Sequence, residues 1–338
     1  MTVDRTSLQE RLINIVRRFP QRRIVVVGDS VADQFVYGAI SRVSREAPVL
    51  ILAHEHTETV PGGAANCATN LASLGATVSL ISVTGEDEAG RGLVEKLKTA
   101  GVDCNGLLTS PALRTTTKVR ILAGQLHSTR QQVIRIDYEG EPLSDPDLHT
   151  RLREQVVEQV KAGDAVIISD YNYGVANAEI SSFTRDAAIA RGIPVFVDSR
   201  FNLPNFSGFT SATPNQSEVE QLLGAQFSDE HELELAGEKL RDQLGYRALL
   251  VTRGSQGMML LESGAAPVHL EAVGAREAVD VTGAGDTVMA AYSLALASDS
   301  SFPEAARLAN HAGGLVVMKR GTASITREEL ENSVSRSS

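Results

Sequence analysis

Short apolar runs of strand length alternate along most of this chain with longer stretches of helical spacing. The runs are rich in β-branched residues and are bounded by turn residues, and they lie at 24–27, 78–83, 165–169, 195–197 and 248–252. The helical patterns lie at 64–74, 89–100, 147–161, 180–191 and 231–244. This alternation is typical of a doubly wound, mainly parallel sheet with helices on both faces. We therefore predict an α/β fold whose ligands bind at the carboxyl ends of the strands.

Two stretches, 36–59 and 115–137, break this rhythm because each has strand patterns with no helix between them. The second contains a predicted hairpin around Ala123, Gly124 and Gln125. No repeat, low-complexity tract or linker divides the 338 residues. We therefore predict a single domain, 1–338, in which these two stretches form a separate part.

Composition excludes several classes of partner. A net charge of −10 disfavours binding to a phosphate backbone, and a chain with no Trp and 4% aromatic residues has few rings for stacking on single-stranded nucleic acid. No apolar run has the length of a membrane span. The two cysteines, Cys67 and Cys104, make neither a disulfide framework nor a metal set, which favours a reducing cytosol. We expect a cytoplasmic protein with no nucleic-acid or membrane partner.

The segment 280–287, Asp-Val-Thr-Gly-Ala-Gly-Asp-Thr, combines a tight turn with a carboxylate at the start of a predicted helix. Gly283 and Gly285 leave the turn without Cβ atoms, so the backbone amides of Gly283, Ala284 and Gly285 could face an anion at the helix N-terminus. Asp286 would repel a bound phosphate, but it is well placed to accept a proton from an attacking hydroxyl. The alternative is an ordinary turn followed by a first-turn acid.

Known phosphate-binding motifs do not explain this segment. Val288 stands where a dinucleotide fingerprint has its third glycine, and the chain contains no G-x-x-x-x-G-K-[ST] sequence. A second glycine motif, Pro61-Gly62-Gly63-Ala64-Ala65-Asn66, precedes a helix of small residues. Its glycines permit close approach of a ligand, and Asn66 offers a donor and an acceptor to a sugar hydroxyl.

Together the two segments resemble the two signatures of the ribokinase family of carbohydrate kinases, also called the PfkB family. The resemblance implies a ribokinase-like fold in which residues 36–59 and 115–137 form a small β-sheet lid over a sugar. In that family the lid often also forms a homodimer. The implied reaction transfers the γ-phosphoryl group of ATP to a sugar hydroxyl, with Mg²⁺ as cofactor. A monovalent cation near the Asp280 loop activates many members, and the residues here do not decide that point.

The same resemblance assigns roles to individual residues. Asp286 is the base, and the amides of Gly283, Ala284 and Gly285 hold the transferring group. The substrate-binding residues it implies are Asp33, Gly62, Gly63, Asn66 and Asp170. Arg120 and Arg200 are added because, with Lys118 and Arg135, they give more cationic groups near the expected sugar than neutral hydroxyls require; the alternative is that each is an exposed lid residue. A carboxylate such as Asp33 can accept two hydroxyl hydrogen bonds, although a turn or cap aspartate is the alternative.

The nucleotide side is assigned in the same way. Asn215 and Glu218 match the N-x-x-E element near Mg²⁺, and the same spacing also makes a helix-capping pattern; both interpretations can hold together. The residues expected to approach ATP are Asn215, Thr252, Arg253, Gly254, Gly257 and Asn310. Arg253 could pair with phosphate, or it could be a solvated surface arginine.

Within the family, the heptose-7-phosphate kinases of lipopolysaccharide precursor synthesis are most similar, on the segments at 37–38, 41–49, 61–66, 117–120, 134–137 and 169–171. Those enzymes often carry a nucleotidyltransferase domain, which we do not expect here because no H-x-G-H sequence occurs. Two departures affect the sugar end: Asn172-Tyr173-Gly174 replaces a small residue, Lys and Gly, and Asp198-Ser199-Arg200 replaces Asp-Pro-Lys. A kinase for another sugar, sugar phosphate or nucleoside therefore stays open, as does a non-catalytic regulator that binds sugar or nucleotide.

Overall fold

The computed structural model describes residues 3–124, 130–274 and 277–336. The helices of this part are α1 Val3–Arg18, α2 Ala64–Ser73, α3 Glu88–Thr99, α4 Pro146–Val160, α5 Ala178–Arg191, α6 Gln216–Leu223, α7 Glu230–Leu244, α8 Ala284–Ala297, α9 Phe302–Val316 and α10 Arg327–Arg336. The strands are β1 Arg23–Gly28, β2 Ser30–Val43, β3 Leu50–Gly63, β4 Thr77–Gly85, β5 Val102–Asp103, β6 Leu107–Ser110, β7 Thr117–Gly124, β8 Gln131–Tyr138, β9 Ala165–Asp170, β10 Val195–Ser199, β11 Ser211–Ala212, β12 Ala248–Thr252, β13 Met258–Glu262 and β14 Val268–Leu270.

A large sheet runs through the centre of the molecule in the order β14-β13-β12-β11-β10-β9-β1-β4-β5, and β6 also pairs with β4. All pairs from β5 to β12 are parallel, and only β13 and β14 are antiparallel to their neighbours. After β1 the sheet is extended on one side by β4 and β5, and then on the other side from β9 onward. The order of the strands therefore reverses at β1, which is where parallel α/β sheets open a crevice for ligands.

Two apolar layers cover the faces of this sheet. Along β1, Ile24 and Val26 join the layer that includes α2, α8 and α9, whereas Val25 and Val27 join the layer that includes α4, α5 and α7. This division follows from the alternation of side chains across a strand, and it explains why the strand is apolar on both faces. The predicted doubly wound sheet with helices on both faces is confirmed.

A separate four-stranded sheet, called the small sheet below, has the order β3-β2-β7-β8. Strands β2 and β7 are parallel, and the two outer pairs are antiparallel. Its strands are longer than the sequence pattern suggested, because β2 begins at Ser30 and β3 runs to Gly63. Asp33 therefore lies within β2. Strands β7 and β8 pair as a hairpin requires, while the predicted turn at Gln125 lies outside the described residues.

The glycine pair at the end of β3 shows why the junction with α2 needs residues without a Cβ. Gly63 has φ of +59° and precedes α2, and a Cβ there would lie 2.5 Å from the carbonyl oxygen of Asp29. A Cβ at Gly62 would lie 2.5 Å from a carboxylate oxygen of Asp33. The small sheet is thus joined to α2 by backbone packed directly against the end of β1.

Within the described residues, no helix combines the length and the apolar composition needed to cross a membrane.

The small sheet is expected to act as a lid. Strand β8 is exposed along nearly its whole length, whereas the central strands β1, β9 and β10 are largely buried. Backbone amides in β2, β3, β7 and β8 should therefore exchange hydrogen faster than those of the central strands, and they should slow when the sugar expected from the family resemblance binds. Hydrogen exchange followed by mass spectrometry measures both, and unchanged exchange at saturating sugar would count against a lid.

Candidate active site

A cavity of about 490 Å³ lies where the carboxyl ends of the central strands meet the small sheet. We call it the central cavity. Polar side chains reach it from the ends of β9 and β10, from β2 and β7, and from α2, α6 and α8. The predicted site residues that line it are Asp33, Gly62, Gly63, Asn66, Arg120, Asp170, Arg200, Asn215, Glu218, Thr252, Gly283, Gly285 and Asp286. Residues far apart in sequence are thus brought together as the resemblance implied.

The turn before α8 leaves backbone donors facing this cavity. Gly283 has φ of +75° and caps α8, and a Cβ there would lie 2.6 Å from Nδ2 of Asn66. Asp280 stabilises the turn by accepting hydrogen bonds from the amides of Thr282 (3.0 Å) and Gly321 (2.8 Å). Among the described residues, no backbone acceptor is recorded for the amides of Gly283 and Gly285, and both residues line the cavity. This geometry suits an anion at a helix N-terminus.

Ala284 differs from its two neighbours in the turn. Its amide donates to the carbonyl oxygen of Val281 at 3.2 Å, and it lines a second cavity instead of the central one. The predicted anion contact of Ala284 therefore requires that this long internal hydrogen bond be exchanged for one to the ligand.

Asp286 lies in the first turn of α8 and is buried. Its Oδ2 accepts a hydrogen bond from Nδ2 of Asn66 (2.7 Å), and its Oδ1 accepts one from the hydroxyl of Tyr171 (3.0 Å). Burial raises the pKa of Asp286 to about 6, and the two hydrogen bonds act in the opposite direction. The carboxyl group is therefore ionised at neutral pH but more basic than an ordinary aspartate, as a general base requires.

Asn66 is itself held in place by α2 and α8. Nδ2 of Asn70 donates to the Asn66 side-chain oxygen at 3.0 Å, and the hydroxyl of Thr287 donates to the Asn70 side-chain oxygen at 2.9 Å. The amide of Asn66 consequently points its NH₂ group at Asp286. A ligand hydroxyl bound to Asn66 would share this side chain with Asp286.

Positive charge collects on the side of the central cavity formed by the small sheet and by the residue after β10. Arg120 forms an ion pair with Asp33, and Arg135 forms two hydrogen bonds with Asp137 (2.7 and 2.6 Å). Arg200 and Lys118 also line the cavity, and neither has a recorded ion pair within the described residues. Lys118 lies near the rings of Tyr171 and Tyr173, and partial burial lowers its pKa.

The chain pattern Asn-x-x-Glu at 215–218 forms a complete capping box at the start of α6. The Asn215 side chain accepts from the amide of Glu218 (2.9 Å), and the Glu218 carboxylate accepts from the amide of Asn215 (2.8 Å). Burial raises the pKa of Glu218. The helix-capping interpretation is confirmed, and it leaves one Glu218 oxygen for other contacts.

These donors bear on the expected Mg²⁺. Within the described residues, no group of three or more His, Cys, Asp or Glu side chains is arranged to hold a metal ion. A hydrated ion that takes one carboxylate and keeps several waters is compatible with Glu218, since Mg²⁺ is bound in this way in sites that share it with substrate phosphates. The residues therefore fit a magnesium ion that arrives with the nucleotide.

A second cavity of about 340 Å³ adjoins the first, and we call it the adjacent cavity. It shares Asn215, Thr252, Val281 and Gly285 with the central cavity. The predicted nucleotide residues Asn215, Thr252, Gly254, Gly257 and Asn310 line it, together with apolar side chains such as Met258, Val273, Val288 and Val317. A largely apolar cavity with a few polar groups is a suitable environment for a nucleotide base.

Two predicted nucleotide residues behave differently from each other. Asn310 is fixed at the wall of the adjacent cavity, because its Nδ2 donates to the carbonyl oxygen of Glu271 at 2.7 Å. Arg253 lines neither cavity, and its guanidinium donates to Glu230 (2.6 Å), Gln216 (3.3 Å) and Gln256 (3.2 Å). The Arg253 side chain is 7% exposed, so it is not a solvated surface arginine, and its contact with phosphate stays a prediction.

Among the residues that line the central cavity, Tyr171, Asp198 and Thr322 were not assigned roles from the sequence. Tyr171 and Asp198 follow the pattern of polar residues at the ends of β9 and β10, so attention to strand ends would have found them. Burial beside the carboxylates of Asp286 and Glu218 raises the pKa of Asp198 well above its ordinary value. Thr322 approaches the cavity from the segment before α10, and no sequence signal marked it.

Comparison with known proteins agrees with this geometry. Residues 21–329 match the family described as pfkB family carbohydrate kinase. This chain belongs to that family. It is 42% identical over 328 residues to the bifunctional protein HldE of Nitrosococcus oceani, a match that covers 94% of this chain and 64% of the relative. It is also 42% identical over 321 residues to the protein of the same name from a Pseudomonas aeruginosa strain, where it covers 94% of this chain and 65% of the relative.

Two solved structures show the same fold. The Arabidopsis thaliana ribokinase, solved with ribose and ATP, has a TM-score of 0.72 at 24% identity and covers 94% of this chain and 99% of its own. Phosphofructokinase-2 from Escherichia coli, solved with potassium, has a TM-score of 0.75 at 21% identity and covers 93% and 98%. The predicted ribokinase-like fold is confirmed. This pfkB family chain spans about 64% of the length of the curated relatives it matches.

Family membership implies that ATP is the phosphoryl donor, and the raised pKa of Asp286 then predicts a pH dependence. A base is active when deprotonated, and its folded-state pKa of about 6 lies above the ordinary 3.8. The rate should therefore be lost as pH falls through about 6 and should be nearly level above 7. Measuring kcat/KM from pH 5 to 8, with stability checked at each pH, tests this; an acidic limb near 4 would contradict it.

Proposed function

We propose that this protein transfers the γ-phosphoryl group of ATP to a hydroxyl of a sugar. The observation that carries the proposal is the position of Asp286. This buried, doubly hydrogen-bonded carboxylate lies beside the amides of Gly283 and Gly285, and Gly285 lines both the polar central cavity and the largely apolar adjacent cavity. A base and an anion-binding turn at the junction of two cavities suit transfer between two substrates.

On this proposal the sugar occupies the central cavity. Asp33, Asn66 and Asp170 offer hydrogen-bonding groups to its hydroxyls, and Gly62 and Gly63 permit close approach of the ring. Asp286 accepts the proton of the attacking hydroxyl, and the amides of Gly283, Ala284 and Gly285 stabilise negative charge on the transferring group. Preorganised donors of this type contribute on the order of 100- to 1000-fold to the rate.

The nucleotide occupies the adjacent cavity. Thr252, Gly254, Gly257 and Asn310 line it, and its apolar walls suit the base. Mg²⁺ would be held near Glu218 and Asn215, and it would neutralise charge on the β- and γ-phosphates. Activation by a monovalent cation near Asp280 stays a prediction.

We propose a heptose 7-phosphate as the sugar, and the support comes from the cations of the central cavity. Lys118, Arg120, Arg135 and Arg200 exceed what neutral hydroxyls require. Arg120 and Arg135 already pair with carboxylates, so Lys118 and Arg200 are the residues available to an anion. Arg200 can bind phosphate through two hydrogen bonds where the similar kinases have Lys.

Two other functions are alternatives to a heptose-phosphate kinase. A kinase for a different sugar, sugar phosphate or nucleoside is favoured by Tyr173, which stands where the similar kinases have a lysine. A non-catalytic regulator is disfavoured by the retained base and anion turn, since binding alone needs no base. We place the reaction in the cytosol, the compartment that the free Cys67 and Cys104 favour.

We also propose a homodimer formed through the small sheet. Apolar side chains that are exposed on its strands include Ile40 and Val43 on β2, Leu50 on β3, and Val133, Ile134 and Ile136 on β8. Strands β3 and β8 are the outer strands of this sheet, and exposed apolar edge strands are a liability unless another surface covers them. A second copy of the chain is the expected partner.

The substrate is tested with a panel of sugars, each with and without a terminal phosphate, incubated with MgATP and followed by ADP release and product mass. The phosphorylated heptose should give the highest kcat/KM. The Asp286→Asn variant should lose roughly 100-fold or more in kcat while it still binds nucleotide within a few-fold. Near-normal turnover in that variant would remove Asp286 from the role of base.

Arg200→Ala separates a phosphosugar from a neutral sugar. Loss of a charge-assisted contact should lower kcat/KM for the phosphosugar by roughly ten- to a hundred-fold and leave the KM for ATP nearly unchanged. Arg120→Ala should impair both sugars, because its pair with Asp33 is lost as well. Arg151→Ala, at an exposed position on α4, is the matched control. Equal activity on the unphosphorylated sugar would assign a neutral-sugar kinase.

The dimer is tested by replacing an exposed residue of β8. The wild-type protein should elute as a dimer at micromolar concentration, and Ile134→Glu should shift it to monomer because a charge would be buried in the interface. Ile189→Glu, at a similarly exposed position on α5, should stay dimeric. A wild-type monomer in sedimentation velocity would exclude the proposal.

A further inference from the structure

Tyr171 makes a contact with the base that the sequence did not reveal. It lies directly after β9, lines the central cavity, and donates its hydroxyl hydrogen to Oδ1 of Asp286 at 3.0 Å. Burial and the neighbouring Asp286 raise the pKa of Tyr171 well above its ordinary value. The hydroxyl is therefore protonated, and able to donate, at neutral pH, where Asp286 is ionised.

The backbone that carries this ring is fixed by a buried carboxylate. Oδ2 of Asp29 accepts hydrogen bonds from the amides of Tyr171 (2.9 Å) and Tyr173 (3.0 Å), and its Oδ1 accepts one from Val175 (2.9 Å). Asp29 follows β1 and is 1% exposed. Three charge-assisted hydrogen bonds to one buried carboxylate hold the segment 171–175 against the central sheet.

The residue after Tyr171 restricts the segment further. Asn172 has φ of +65°, in the left-handed region, which asparagine tolerates better than most residues. Its amide donates to Oδ1 of Asp170, and Oδ2 of Asp170 accepts from the hydroxyl of Ser199 on β10. The position of the Tyr171 ring is thus set by the backbone on both sides of it.

Asp286 is consequently held from two directions. Asn66 on α2 donates to one oxygen, and Tyr171 at the end of β9 donates to the other. Two donors on different oxygens define the plane of the carboxylate, whereas one donor would leave it free to rotate. Each oxygen keeps a further lone pair with which to accept the proton of a substrate hydroxyl.

Other charged or titratable groups also act on Asp286. Asp33 raises its pKa and Arg200 lowers it, while Asp198 and the Cys67 thiol lie near enough to be influenced by its charge. Burial raises the pKa of Cys67 well above its ordinary value, so this thiol is neutral. Tyr171 and Asn66 are the two side chains that stabilise the ionised form through hydrogen bonds.

We propose that Tyr171 is a positioning residue that orients Asp286 for proton abstraction and stabilises its ionised form, with Asp29 as the anchor of the segment that carries Tyr171. This inference rests on the proposed role of Asp286 as the base. It extends that role, because it assigns part of the catalytic geometry to a side chain that contacts the base and not the transferred group.

The test is Tyr171→Phe, in which the phenyl ring fills the same space and only the hydroxyl is lost. We expect kcat to fall by roughly ten- to a hundred-fold through poorer orientation of the base, with the KM values for ATP and sugar changed by only a few-fold. The acidic limb of the pH profile should move upward by about one unit, since the ionised carboxylate has lost a donor.

A second readout does not depend on activity. The carboxyl carbon of Asp286, followed by NMR titration of the intact protein without substrate, should show the same upward shift of its pKa in Tyr171→Phe. If the wild-type protein phosphorylates no sugar, the proposed function fails while this titration still tests the contact.

Tyr246→Phe is the matched control. Tyr246 is also buried, it lines neither cavity, and its hydroxyl donates to the carbonyl oxygen of Phe206 instead of Asp286. It should leave kcat, the acidic limb and the Asp286 titration unchanged. An active Tyr171→Phe enzyme with wild-type kcat and an unmoved acidic limb would overturn the inference, as would an equal shift of the limb in both variants.

Discussion

The burial of one carboxylate group, Asp286, organises the region around the cavities. Desolvation of an ionised group is costly unless hydrogen bonds replace the lost water. Here the replacements come from Asn66 on α2 and Tyr171 after β9, and each is held by further contacts within its own layer. The packing of α2 against α8 and the hydrogen bonding of the segment after β9 therefore both serve to compensate the burial of Asp286. A change in either should alter the basicity of Asp286 before it alters the fold.

The charges of the central cavity divide into those already paired and those available to a ligand. Arg120 and Arg135 are neutralised by Asp33 and Asp137, whereas Arg200 and Lys118 have no recorded ion pair in the described part of the chain. A residue type alone cannot distinguish these cases, since the four cations are equivalent in sequence. The structure also bears on the predicted role of Asp33, because its carboxylate is paired with Arg120. A sugar hydroxyl that binds Asp33 would have to share this carboxylate with Arg120.

Several elements were predictable because their signals are local. The β-branched run 24–27 indicates a buried strand because turn residues bound it and helical patterns alternate with such runs. Gly62, Gly63, Gly283 and Gly285 mark positions where the backbone approaches other backbone or a ligand. The small sheet was predicted as a separate part, yet the lengths of β2 and β3 were underestimated. Residues 30–33 and 60–63 become strand through pairing with each other, which depends on partners about thirty residues away and not on local propensity.

The sequence by itself determined the layered α/β architecture and the two glycine motifs, because apolar periodicity and the demand for residues without a Cβ are visible in neighbouring residues. It also predicted Asp286 as the base. Only the tertiary structure decided that Tyr171 and Asn66 hold Asp286, that Asp29 anchors the segment 171–175, and that Arg253 bonds to Glu230 instead of lining a cavity. These outcomes depend on the distance between side chains from different elements. That distance is set by how the helices pack on the sheet, so it cannot be inferred from the sequence of any single segment.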